Sequence, residues 1–340
     1  MIEKELLNLI QIIGDDKQKE IIRKQLMNAI RMTPKENRNL LKQILERKEI
    51  KFLVSGYESA HSSVYCPYDL DDNHNPNAKA YVYLTSLIRS GTFYHELGHA
   101  TKTSITKPSR IKYNRVEELF NAFHKMACEE LDEKKEFIYQ SVMDEFHHLL
   151  NGIVSKKQLE KIQKYLSLHQ ELYKLNQELP NRNYPWAIKD FMKENNISQE
   201  WLEKKYKRKD EIMAFLTKYG YVDAFLEIRA SNSAEQFNKI YYPIIDALSV
   251  HYDIGLLGFC YHPRRYYENK SSISDEMFAN LFEAKMLGQD MTLENFKGFL
   301  PKTYALFEKA FQIIKDYYSY DLGITSITTY NNSEEANNGF

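Results

Sequence analysis

A chain of 340 residues with 43% hydrophobic and 13% aromatic residues carries enough apolar material for one large domain or two medium ones. Its 46 basic and 47 acidic side chains nearly cancel, which removes the global field expected of a nucleic-acid or anionic-membrane binder. The 12 glycines and 9 prolines point to long helices with few tight turns. Cys66, Cys128 and Cys260 form no C-x-x-C pair, so neither a disulfide framework nor a zinc ribbon is supported.

Residues 1–49 read as a helical cap. Leu6, Leu7, Ile10 and Ile13, then Ile21, Ile22, Leu26 and Ile30, follow the helical period, with Gly14-Asp15-Asp16 between the two runs. A third helix is expected over 34–47, with Leu40, Leu41, Ile44 and Leu45 on one face. The N-terminus lacks a signal-peptide architecture, and no run of 18 apolar residues occurs. The expected location is cytoplasmic, although a phage association or a specialised delivery route leaves no mark of this kind.

Strands are expected over 49–55 (EIKFLVS), 62–68 (SSVYCPY) and 80–85 (AYVYLT), which are rich in β-branched and aromatic residues. The acidic loop between the last two, with Asp69, Asp71 and Asp72, fits no calcium-binding spacing and reads as solvated. Directly after the third strand comes GTFYHELGHATKT (91–103), which contains His95-Glu96-Leu97-Gly98-His99. On a helix, His95 and His99 lie one turn apart on one face and can reach one metal ion. Glu96 projects beside them, placed to take a proton from a water that the metal activates. Zn2+ is therefore the expected cofactor.

Residues 115–235 read as a charged helical insertion, with helices over 115–151, 156–179, 186–195 and 198–219, the last capped by Ser198. The basic run KKYKRK (204–209) reads as a solvated helix face, and the adjacent His147 and His148 point in different directions. Residues 240–320 return to a compact pattern. A short apolar helix is expected over 241–250. A second, over 272–287, has Ser274 as its N-cap and a stripe of Phe278, Leu281 and Phe282, and an amphipathic helix over 301–318 follows. The tail, 326–340, is polar and reads as disordered.

A catalytic zinc takes three protein ligands and keeps one open position. No histidine follows His99 at metzincin spacing, which favours a carboxylate as third ligand. Two candidates stand. Glu117 or Glu118 lies 18 or 19 residues beyond His99, and Glu276 lies far along the chain.

The helix containing Glu276-Met277-Phe278-Ala279 resembles the E-x-F-A helix that supplies the third ligand in anthrax lethal factor-type gluzincins. It also resembles metallopeptidase domains attached to phage head-morphogenesis proteins. Ile245-Asp246-Ala247-Leu248 and then the loop 258–267 (GFCYHPRRYY) stand before Glu276 in the order those domains show. Glu118, by contrast, sits in an E-E-L segment similar to that of plasmid antirestriction-type zincins. Glu276 is favoured on the agreement of order and spacing.

The resemblance covers residues 50–105 and 240–290, and implies a zincin-like core within a domain spanning 50–325. It implies a mainly α fold with a small β-sheet, and a zinc metallopeptidase acting on a peptide or protein substrate. His95, His99 and Glu276 would bind the metal and Glu96 would be the general base. Of Tyr266, Tyr267 and His262 in the 258–267 loop, Tyr267 or His262 would be the oxyanion donor, and Asp246 either orients a ligand histidine or caps a helix. Two positions depart from the family pattern: Thr101-Lys102-Thr103 stands where an acidic residue is frequent, and Asn280 where a glutamate is frequent. The competing reading is a non-catalytic phage or mobile-element structural protein that retains a zinc-binding helix. The intact Glu96 argues against it, because a purely structural site needs ligands but no base.

Overall fold

The computed structural model describes residues 2–54, 64–66, 80–85, 90–106, 114–151, 154–180, 182, 184–218, 232–252 and 270–319. The fold is mainly α with a small β-sheet, and its contacts cluster into two compact units. The first comprises 1–120, 286–288 and 307–340; the second comprises 121–285 and 289–306.

In the first unit, helices α1 (Ile2–Leu9), α2 (Asp16–Met32) and α3 (Lys35–Glu46) precede most of the sheet. Asp15 caps α2 by accepting a hydrogen bond from the Gln18 amide at 3.0 Å, as a carboxylate at a helix N-terminus should. The sheet has four strands in the order β1-β2-β4-β3: Ile12–Ile13, Ile50–Val54, Ala80–Leu84 and Val64–Cys66.

Strands β1, β2 and β4 run parallel, and β3 is antiparallel to β4. The register pairs Ile50 with Ala80 and Phe52 with Val82, and these four side chains are buried. Lys51 and Tyr81 alternate onto the other face, where the Lys51 ammonium lies 5.8 Å from the Tyr81 ring centre. Helix α4 (Ser90–Thr106) packs against β2, β3, β4 and α2.

Three expectations change in these elements. Ile13 lies outside the α1 stripe: α1 ends at Leu9 and Ile12–Ile13 pairs with Phe52–Leu53, so residues 1–49 contribute an edge strand as well as a cap. The spacing Leu6, Leu7, Ile10, Ile13 matched a helical period by coincidence, and Ile13 is 53% exposed. The helix of 241–250 begins nine residues earlier, at Asn232. Finally, Ser274 is not an N-cap but lies inside its helix, buried, with its hydroxyl 2.6 Å from His124 Nδ1.

The second unit is built from α5 (Asn114–Asn151, from residue 121 on), α6 (Lys156–Glu178), α7 (Pro185–Glu194) and α8 (Gln199–Lys218). It continues with α9 (Asn232–Leu248), α10 (Lys270–Met286) and α11 (Asp290–Phe299), and takes in the first turn of α12 (Pro301–Ser319). Ser198 caps α8, accepting from the Trp201 amide at 3.2 Å. Phe278, Leu281 and Phe282 form no stripe: Met277, Phe278, Ala279, Leu281, Phe282 and Ala284 are all buried, so α10 is enclosed on every side. Phe278 meets Phe123 edge-on at 5.9 Å.

Two residues one turn apart on α5 fasten neighbouring helix ends. Glu130 is buried and accepts from the Thr303 amide at 2.9 Å, the Thr303 hydroxyl at 2.8 Å and Lys134 Nζ at 3.0 Å. Lys134 also donates to the Phe299 carbonyl at 3.0 Å. A carboxylate thus meets the start of α12 and an ammonium the end of α11, each on its favourable dipole end. Burial by itself would raise the Glu130 carboxyl, but the hydrogen bonds from Thr303, Lys134 and Lys302 outweigh it and hold it below the ordinary carboxylate range.

A depressed folded-state value contributes stability above the unfolded-state value and loses it as pH falls through the folded one. Glu130→Gln is expected to cost about 1–3 kcal/mol at neutral pH, read from urea midpoints. The gap to the unaltered chain should shrink on acidification. An unchanged gap down to strongly acidic pH would refute the charged-cap role.

Candidate metal centre

Helix α4 is held from the side opposite its histidines. Phe93 and Tyr94 are fully buried, Phe93 lies 6.1 Å from Phe52 of β2, and the Tyr94 hydroxyl hydrogen-bonds Thr33 at the end of α2. Burial pushes the Tyr94 phenol well above its ordinary value, so it remains a neutral hydrogen-bonding group. Leu97 and Ala100 are also fully buried and share the side of Phe93 at helical spacing. His95 and His99 are half-buried and project from the opposite side of the helix. Glu96 is buried between these directions, and Gly98 accepts a hydrogen bond from the Thr101 hydroxyl at 2.9 Å.

The two imidazoles converge. His95 Nε2 and His99 Nε2 stand 3.3 Å apart with the rings nearly perpendicular, at 82°. Two nitrogens held on one tetrahedral zinc at 2.0–2.1 Å must be separated by about 3.3–3.4 Å. The observed spacing therefore matches one edge of a zinc tetrahedron.

Ligating atoms of His95, His99 and Glu276 all lie within 4.8 Å of one another. Two imidazoles and a carboxylate are a donor set suited to catalytic zinc, so the residues present fit the metal. Glu117 and Glu118 are exposed on α5 and belong to no such group among the described residues.

Glu276 is buried at 4% exposure on α10, within a polar cluster of the second unit. Asn280, one turn later and also buried, donates from Nδ2 to Asp246 Oδ2 at 3.0 Å. Its Oδ1 accepts a hydrogen bond from the Tyr242 hydroxyl. Because a carboxylate can only accept, the amide orientation of Asn280 follows from its chemistry. The Tyr242 hydroxyl also reaches Glu283 Oε2 at 2.9 Å. Desolvation, then the charges of Glu283 and Asp246, hold the Tyr242 phenol well above its ordinary value, so it stays a donor. Asp246 lies inside α9, and its Oδ2 accepts from Asn280.

Comparison of the chain with family models, curated proteins and solved structures found no match. His262 and Tyr267, the expected oxyanion donors, lie outside the described residues. So do the loop over 69–79, Cys260 and the tail. Sequence reasoning passed over Tyr242, although a signal was present: it stands four residues before Asp246, on the same face of α9. Among the described residues, no helix is long and apolar enough to cross a membrane.

Proposed function

We propose that this chain is a zinc-dependent metallopeptidase of gluzincin type, with His95, His99 and Glu276 as metal ligands and Glu96 as general base. The observation that supports it most is the 3.3 Å separation of the two Nε2 atoms on one side of α4, with Glu96 next to His95 in the chain. Zinc bound there would supply a Lewis acid that polarises a scissile carbonyl and makes water a competent nucleophile near neutral pH.

The chain's own residues do the rest. Glu96 follows His95 directly on a helix whose opposite side is buried, and its carboxylate would serve a metal held by the two histidines as a base rather than as a ligand. It accepts the proton of the attacking water and hands it to the leaving amine nitrogen, which departs neutral as the peptide C–N bond breaks. Strand β3 is an edge of the sheet that carries α4, and its backbone is suited to pair with an extended peptide. The substrate class is accordingly an unfolded segment or exposed loop of a protein.

The test is hydrolysis of a fluorogenic casein by the purified chain before and after chelation, with zinc content measured on the same samples. The expected result is about one zinc per chain, activity lost on stripping and restored by stoichiometric zinc. A chain that binds zinc at this site yet cleaves no casein or peptide library would favour a structural role. Activity indifferent to chelation would refute the metal chemistry.

A further inference from the structure

Helix α10 poses a mechanical problem. With Met277, Phe278, Ala279, Leu281, Phe282 and Ala284 buried on all sides, rotating it about its axis changes the buried apolar area little. Non-directional burial therefore cannot fix which way Glu276 points. A rotation of only 20° would sweep a side-chain tip through about 2 Å, given the usual helix radius. Metal–ligand bonds tolerate about 0.2 Å. Something directional must set the angle of this helix.

Asn280 is placed to do so. It lies one turn beyond Glu276 on the same face and is 1% exposed, and both ends of its amide are engaged from α9. Asp246 takes the Nδ2 proton, and Tyr242, one turn earlier on α9, donates to Oδ1. Two partners one turn apart on one helix grip a single planar group on another. Such a grip resists both rotation and sliding, because an off-angle hydrogen bond weakens steeply. The Ser274–His124 contact pins α10 a second time, nearer its start.

We propose that Tyr242 is a positioning residue for the Glu276 carboxylate, acting through the Asn280 amide that it shares with Asp246. This rests on Glu276 being a zinc ligand. Tyr242 itself touches neither metal nor substrate. Its role is to fix the angle of α10, and with it the point at which the carboxylate arrives.

The test compares zinc affinity, by competition with a chromophoric chelator, for the unaltered chain, Tyr242→Phe and Tyr206→Phe. Tyr206 donates to the Pro180 carbonyl at 2.7 Å elsewhere in the same unit, so its variant reports the loss of one hydroxyl hydrogen bond alone. Tyr242→Phe is expected to weaken zinc binding about 10–100-fold, the usual effect of removing an outer partner of a metal site. The visible absorption bands of the cobalt-substituted protein should change with it. Tyr206→Phe should leave both unchanged. If Tyr242→Phe proves too unstable to purify, Asn280→Ser removes the acceptor of the same hydroxyl and is expected to give the same loss.

Affinity within threefold of the unaltered chain and an unchanged cobalt spectrum, in a folded Tyr242→Phe protein, would overturn the positioning role and leave the metallopeptidase reading intact. Absence of zinc binding by the unaltered chain would remove both.

Discussion

Glu96→Gln is expected to retain about one zinc per chain and to lower peptide hydrolysis by roughly 10²–10⁴-fold, the range that a positioned general base contributes. The substitution preserves size and hydrogen-bonding capacity but removes the acceptor that takes water's proton. Glu96 sits on a helix fixed by Phe93, Tyr94, Leu97 and Ala100, all fully buried, so the exchange should leave α4 in place. Loss of zinc in this variant would make Glu96 a ligand rather than a base. Hydrolysis within threefold of the unaltered chain would place the base elsewhere.

The second large effect concerns the third ligand. Glu276→Gln should weaken zinc binding by more than about 100-fold, beyond what loss of an outer partner costs, because a neutral amide replaces an anionic donor. Glu118→Gln should bind zinc as the unaltered chain does, since Glu118 is exposed on α5 and, among the described residues, joins no group with the histidines. Equilibrium dialysis against a zinc buffer reads both. The reverse pattern, zinc lost in Glu118→Gln and kept in Glu276→Gln, would overturn the ligand choice.

The elements of this fold were legible to different depths. Strands at 50–54, 64–66 and 80–84 announce themselves through β-branched and aromatic content, and the long helices through their periods. Strand β1 did not, because two residues carry no period and Ile13 happened to extend the stripe of α1. Helix α10 misled in the other direction. Ser274 ahead of two acidic residues looks like a cap, but a helix enclosed on all sides has no amphipathic edge to mark its start. The helix α11, over 290–299, carried no sequence signal strong enough to set it apart from α12.

The site divides in the same way. His95, Glu96 and His99 are readable because one helical turn brings them together, and such local geometry is encoded in spacing alone. A carboxylate some 180 residues away is a tertiary fact, so spacing could rank Glu276 and Glu118 without deciding between them. The Tyr242–Asn280–Asp246 cluster joins two helices whose side-chain contacts no local pattern records.

Diffraction measured at the zinc absorption edge tests most directly the zinc ion proposed to be held by His95, His99 and Glu276. The expected result is one anomalous peak about 2.0–2.1 Å from His95 Nε2 and His99 Nε2 and about 2.0–2.2 Å from a Glu276 carboxylate oxygen, with one position left to water. A peak bound by other residues, or zinc-loaded crystals with no peak beside His95 and His99, would contradict it.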